Sequence, residues 1–170
     1  GVHASAGKHT VMAEPGYGGP RNVRMYLIAS DDDGKTWSPP RDVTRDMRRE
    51  SAVSVGSPGV GLLLTRGPHR GRILFPNYEV YSLGGGGRKT ANSVSYSDDG
   101  GETWLLSETI AEPPSVSFGD EAQLAELAAG GVLLTARDHP DGTRRKISVS
   151  VDGGAAWSTH RVADDLMTPP

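Results

Sequence analysis

The chain contains no cysteine, so neither a disulfide framework nor a thiolate metal site is open to it. No stretch approaches the roughly 18 consecutive apolar residues that a membrane-crossing helix needs. A large excess of charge of one sign is also missing. Eighteen Lys and Arg stand against 21 Asp and Glu, for a net charge of −3, which gives no sign of nucleic-acid binding. The five histidines (His3, His9, His69, His139, His160) are scattered without metal-ligand spacing. Nothing at the N-terminus reads as a signal peptide. Aromatic residues are scarce, at 6 %. Glycine and proline, in contrast, are plentiful at 23 and 12 residues. Many turns and short strands in one domain spanning residues 1–170 is the expectation.

All three tryptophans end the same short pattern. It occurs as Ser30-Asp31-Asp32-Asp33-Gly34-Lys35-Thr36-Trp37, as Ser97-Asp98-Asp99-Gly100-Gly101-Glu102-Thr103-Trp104, and as Ser150-Val151-Asp152-Gly153-Gly154-Ala155-Ala156-Trp157. The shared form is S-x-D-x-G-x-x-W, at intervals roughly the size of a four-stranded unit plus insertions. An apolar or alternating run enters each copy, so the pattern reads as a hairpin turn. Ser and Asp side chains accept bonds from turn amides, the glycine supplies a positive φ, and the indole covers the turn. A calcium loop is the rival reading for Asp31, Asp32 and Asp33. The acidic ligand needed at its far end is missing, and no helix signals flank it.

Between the repeats, residues 23–29 read as a strand and Arg41 to Thr44 as its return, followed by a connection over 45–56. Ser57 to Leu64 and Arg72 to Tyr78 form two apolar β runs around a Gly-Pro turn. Gly84 to Gly87 reads as a hairpin tip rather than a phosphate cradle, because no strand and helix flank it with the needed signature. Residues 105–119 pass through Pro113-Pro114. Residues 120–130 are rich in helix-favouring Ala, Glu and Leu, yet the repeat context predicts a strand there, paired with Val132 to Arg137 through the Gly130-Gly131 turn.

The repeat resembles the Asp-box of sialidases (neuraminidases). The resemblance implies an all-β fold, the six-bladed sialidase-type β-propeller, with about three blades in this chain. Asp-boxes also occur in other propellers, so they argue architecture rather than chemistry. The chemical resemblance lies in Glu121-x-Gln123-x-x-Glu126-Leu127, the turn glycine and Arg137. Residues 121–127 follow the family's E-x-Q-x-x-E-L and residues 131–137 its G-x-L-L-x-x-R, with one residue more between the two halves than the family stretch E-x-Q-x-x-E-L-x-x-G-x-L-L-x-x-R has. By that resemblance Arg137 grips the substrate carboxylate and Glu121 is the base that partners a tyrosine nucleophile.

The residue types suit an acidic sugar. A planar guanidinium holds a carboxylate through two parallel bonds, which lysine cannot reproduce. A carboxylate nucleophile would repel the sugar's own carboxylate, whereas a neutral phenol does not. Its proton must then pass to a nearby glutamate. Asn77 and Tyr78, read as the end of an inner-strand run, are candidate pocket-lining residues. Glu79 is open between the pocket lining and a solvated turn, Arg24 and Arg145 read as surface charge, and Glu126 as lying on the face opposite Glu121.

The resemblance implies exo-α-sialidase activity on terminal sialic acids of glycoconjugates, with retention and with no cofactor and no metal. Sialylated glycans are the expected partners; the compartment is left open, with a secreted, lysosomal or periplasmic setting among those the resemblance allows. The family's R-I-P arginine, its acid/base aspartate, its third arginine and its nucleophilic tyrosine have no match in these 170 residues. The chain is therefore expected to be the middle of a propeller, inactive alone and prone to self-association through open blade edges. The alternative is a non-catalytic propeller module that binds glycans or proteins.

Overall fold

The computed structural model describes residues 3–6, 9–84, 87–112, 119–137 and 144–167. The expected glycine tip at 85–86 and the Pro113-Pro114 passage lie outside them. Among the described residues, thirteen strands and one helical turn follow in chain order: β1 His3–Ala6, β2 His9–Met12, β3 Tyr26–Leu27, β4 Arg41–Asp42, α1 Thr44–Met47, β5 Val53–Gly56, β6 Leu62–Leu63, β7 Ile73–Gly84, β8 Gly87–Ser97, β9 Leu105–Leu106, β10 Ala122–Glu126, β11 Val132–Ala136, β12 Arg144–Ser150 and β13 Arg161–Met167.

They form antiparallel sheets in sequence order. After the β1–β2 hairpin come a two-stranded sheet β3–β4, a five-stranded sheet β5-β7-β8-β9 with β6 on β7, and a four-stranded meander β10-β11-β12-β13. Each Asp-box joins two strands of one sheet, as the hairpin reading requires. Residues 122–126 are a strand, so cross-strand pairing overrides their helix propensity.

Two expectations need correction. The return strand after the first box ends at Asp42, where Thr44–Met47 turns into one helical turn. The Asp42 carboxylate takes the Thr44 N–H at 2.9 Å just ahead of that turn, whose N-cap position is Val43. The presumed connection contains β5, paired with the middle of β7.

The core sits between sheets. Leu64, Leu74, Val94 and Ile110 of the second sheet and its flanks pack on Ala122, Val132, Leu134 and Ala136 of the third. A smaller cluster joins Val43, Met47 and Trp104, with Met25, Leu27, Ile73 and Phe75 against it. Polar groups are also sealed in. Lys146 and Glu112 form an ion pair at 3.2 Å with side chains 0 % and 7 % exposed, and His160 lies buried beside them. Burial, then the Lys146 charge, push the His160 pKa down to about 4 against a weaker opposing backbone hydrogen bond at Ile147.

Candidate functional site

The three Asp-boxes share one internal bonding scheme. In the second, Ser97 Oγ donates to Asp99 at 2.8 Å and accepts the Gly101 N–H at 2.8 Å. Asp99 accepts the Thr103 N–H at 2.9 Å, and Trp104 Nε1 donates to the Gly101 carbonyl at 3.0 Å. The first box repeats this with Ser30, Asp32, Gly34, Thr36 and Trp37, and the third with Ser150, Asp152, Gly154, Ala156 and Trp157. Bonds from Thr36 and Thr103, chiefly from their hydroxyls, hold Asp32 and Asp99 down to about 2. These carboxylates are thus engaged by the turn itself. Two consecutive residues take positive φ in each box: Gly100 and Gly101, Gly153 and Gly154, and Asp33 (φ 59°) with Gly34.

Chemistry gathers at the start of β10. The Arg137 N–H donates to the Glu121 carbonyl at 2.9 Å, extending the β10–β11 ladder by one step beyond Ala122 and Ala136. Glu121 and Arg137 are therefore cross-strand neighbours. Their side chains form an ion pair at 3.1 Å, with 48 % and 41 % of each exposed. The pair is open to solvent rather than sealed in an apolar layer. Behind it, buried Asp120 accepts the Glu121 N–H at 2.7 Å, and its carbonyl takes the Asn92 amide at 2.6 Å. Gly119 makes this crossing possible, since a Cβ there would lie 2.5 Å from Asn92 Oδ1 and 2.7 Å from the Ala91 carbonyl carbon.

Gln123, two residues along β10, donates its amide to the Pro58 carbonyl. Gly59 leaves room for it: at φ 126° its absent Cβ would fall 1.7 Å from the Gln123 nitrogen. Tyr78 belongs to the same neighbourhood. Burial raises its phenol pKa first, and the charges of Asp120 and Glu121 raise it further against an opposing Arg88.

The Asn77 side chain is not brought to this group, although its carbonyl shares the Asn92 amide with that of Asp120. It is mid-strand on β7 and fully buried, donating to Ser95 Oγ at 2.8 Å. Strand alternation puts it and Tyr78 on opposite faces. Glu79 is a buried hub rather than a solvated turn. Its carboxylate accepts Tyr81 and Ser93 hydroxyls at 2.8 Å each and sits 3.4 Å from Arg49 Nε. Glu126 accepts both the Thr65 and Arg66 N–H groups, at 3.0 and 2.8 Å, and so clamps the β6–β7 loop. Arg24 pairs with Asp42 at the surface, as surface charge should.

Arg145 departs from that reading. It is half-buried, with Nε donating to Thr135 Oγ1 at 2.8 Å and Nη2 to the Thr135 carbonyl at 3.3 Å. Counting back along β12 from the third box would have found it: Ala136 pairs with Lys146, so Arg145 falls opposite Arg137.

Residues 7–167 match the family described as BNR repeat-like domain. A sialidase of Micromonospora viridifaciens is 34% identical over 152 residues, covering 88% of this chain and 22% of that protein. One from Bacteroides fragilis is 29% identical over 149 residues, covering 87% and 25%. Among solved structures, a Hadza microbial sialidase superposes with a TM-score of 0.72 at 27% identity, over 89% of this chain and 27% of that one. The chain thus spans about a quarter of the length of these relatives.

Proposed function

Because this chain belongs to the BNR repeat-like domain family and its sheets are blades of a sialidase-type β-propeller, we propose that it carries part of a sialidase active site. Its ligand is a terminal sialic acid on a glycoconjugate. Arg137 grips the sugar carboxylate, Glu121 serves as proton acceptor for a tyrosine nucleophile, and Tyr78 lines the pocket. The observation that supports this best is the solvent-open Glu121–Arg137 pair at 3.1 Å on adjacent strands.

The pair suits the chemistry. Bidentate charge-assisted bonds from a guanidinium orient the carboxylate beside the anomeric carbon. Departure of the aglycone then develops oxocarbenium character, answered by a phenol that has given up its proton. Within these 170 residues no R-I-P arginine occurs, and Tyr78 does not hold the nucleophile's place in the family pattern. The chain is accordingly expected to bind sialic acid without cleaving a fluorogenic sialoside.

The test is titration of N-acetylneuraminic acid into the chain and into Arg137→Ala, read by NMR shifts. Loss of at least about ten-fold in affinity is expected, in line with a charge-assisted bidentate contact. Equal affinity in both would exclude carboxylate gripping by Arg137.

A further inference from the structure

One row of three charged residues crosses the third sheet at its upper end. Glu121, Arg137 and Arg145 lie side by side on successive strands. The Arg137 N–H bond to Glu121 fixes the first junction, and the Ala136–Lys146 pairing fixes the second. Neighbouring strands stand about 5 Å apart, so Arg145 is within about 10 Å of the Glu121 backbone. Its fork is tied to Thr135 by two bonds. Burial first and the Arg137 charge second lower the Arg145 pKa, and the Glu121 charge opposes them.

Among the described residues, Arg145 adds positive charge to a corner that holds Asp120, Glu121 and Arg137, with Arg88 acting on nearby Tyr78. Glu121 already neutralises Arg137 at 3.1 Å, and the buried Asp120 carboxylate stands directly behind, on the Glu121 N–H. The carboxylates work against an incoming acid. A further guanidinium next to Arg137 works for it and favours exchange of Glu121 for a ligand carboxylate. Held by Thr135, it cannot swing out to take the ligand itself without giving up both bonds.

We infer that Arg145 is a positioning residue for anion capture, a Thr135-anchored cation that acts on the ligand through Arg137 rather than by touching it. The inference deepens the sialic acid reading and rests on it for the identity of the sugar, though not for the charge. A unit charge about 8 Å away, through an effective dielectric of about 40, is worth roughly a five-fold change in affinity.

The experiment follows the Arg137 Nε–H signal of the full chain by NMR during titration with acetate, and separately with N-acetylneuraminic acid. Arg145→Gln is expected to weaken acetate binding about five-fold at low ionic strength, with the difference closing in about 0.5 M salt as screening shortens. Arg145→Lys keeps the charge without the fork and is expected to stay near the unaltered affinity, with circular dichroism confirming that each variant is folded. Acetate affinity unchanged in Arg145→Gln, or lowered equally in Arg145→Lys, overturns the inference. So does an Arg137 signal that never responds to acetate in the unaltered chain. If acetate behaves as expected but N-acetylneuraminic acid binds no more tightly, the charge role stands and the sugar assignment fails.

Discussion

The first and second Asp-boxes have the same internal hydrogen bonds and very different surroundings. Trp37 is 58 % exposed, whereas Trp104 is 6 % exposed. The second indole is covered by what precedes it in the chain: Val43 and Met47 of the first return segment, with Leu27 and Phe75 alongside, the Phe75 ring centroid 5.4 Å away. Arg41, from β4, also donates to the Gly101 and Glu102 carbonyls of that turn. The third box repeats the relation. Its Trp157 packs on the cluster of Leu64 and Leu74, and Arg72 donates to its Asp152 and Gly153 carbonyls while gripping Asp98 of the second box. Each turn is made by its own eight residues, and the second and third are then seated by the sheet before them.

That contrast sets the order of expected losses. Trp104→Ala should destabilise the fold by about 3–5 kcal/mol, and Trp37→Ala by about 1 kcal/mol or less. Urea midpoints of the two variants measure the gap, and similar losses would dissolve the comparison.

Acid should separate sheet from turn. The His160 pKa falls from its ordinary 6.5 to about 4 on folding. Its contribution is therefore fully present above pH 6.5 and is lost as pH drops through 4, on the order of 3 kcal/mol in all. The Asp32 and Asp99 carboxylates, held near 2, lose theirs only between about pH 4 and 2. Stability measured against pH in the unaltered chain and in His160→Gln should differ in slope between 6.5 and 4 and run parallel below.

Arg72→Ala should cost about 2 kcal/mol, because the guanidinium is nearly buried, stacks 4.4 Å from the Tyr96 ring and joins two boxes. Arg24→Ala removes only an exposed pair with Asp42 and should change the urea midpoint within the noise of about 0.5 kcal/mol.

The boxes were legible in the sequence because everything that shapes them lies within eight residues. Glu121 and Arg137 were legible for a related reason, since a single short hairpin relates them. Asn77 and Glu79 were not. Their side chains are buried because β7 runs on to Gly84 and pairs with β5 and β8, which turns an apparent strand end into an interior. Thr44–Met47 was missed because the helical turn is held by long-range packing on Trp104 rather than by its own propensity. Arg145 looked like surface charge because its partner, Thr135, belongs to another strand.

On β12, Arg145 and Lys146 are adjacent, one reaching the open corner beside Arg137 and the other sealed against Glu112. A slide of that strand by a single residue would trade the two. Glu112 would lose its counter-ion inside the protein, and the ammonium would emerge where the guanidinium belongs. Two basic residues in tandem thus act as a lock on alignment, and the arrangement that pairs the buried Glu112 is the same one that sets a guanidinium beside Arg137.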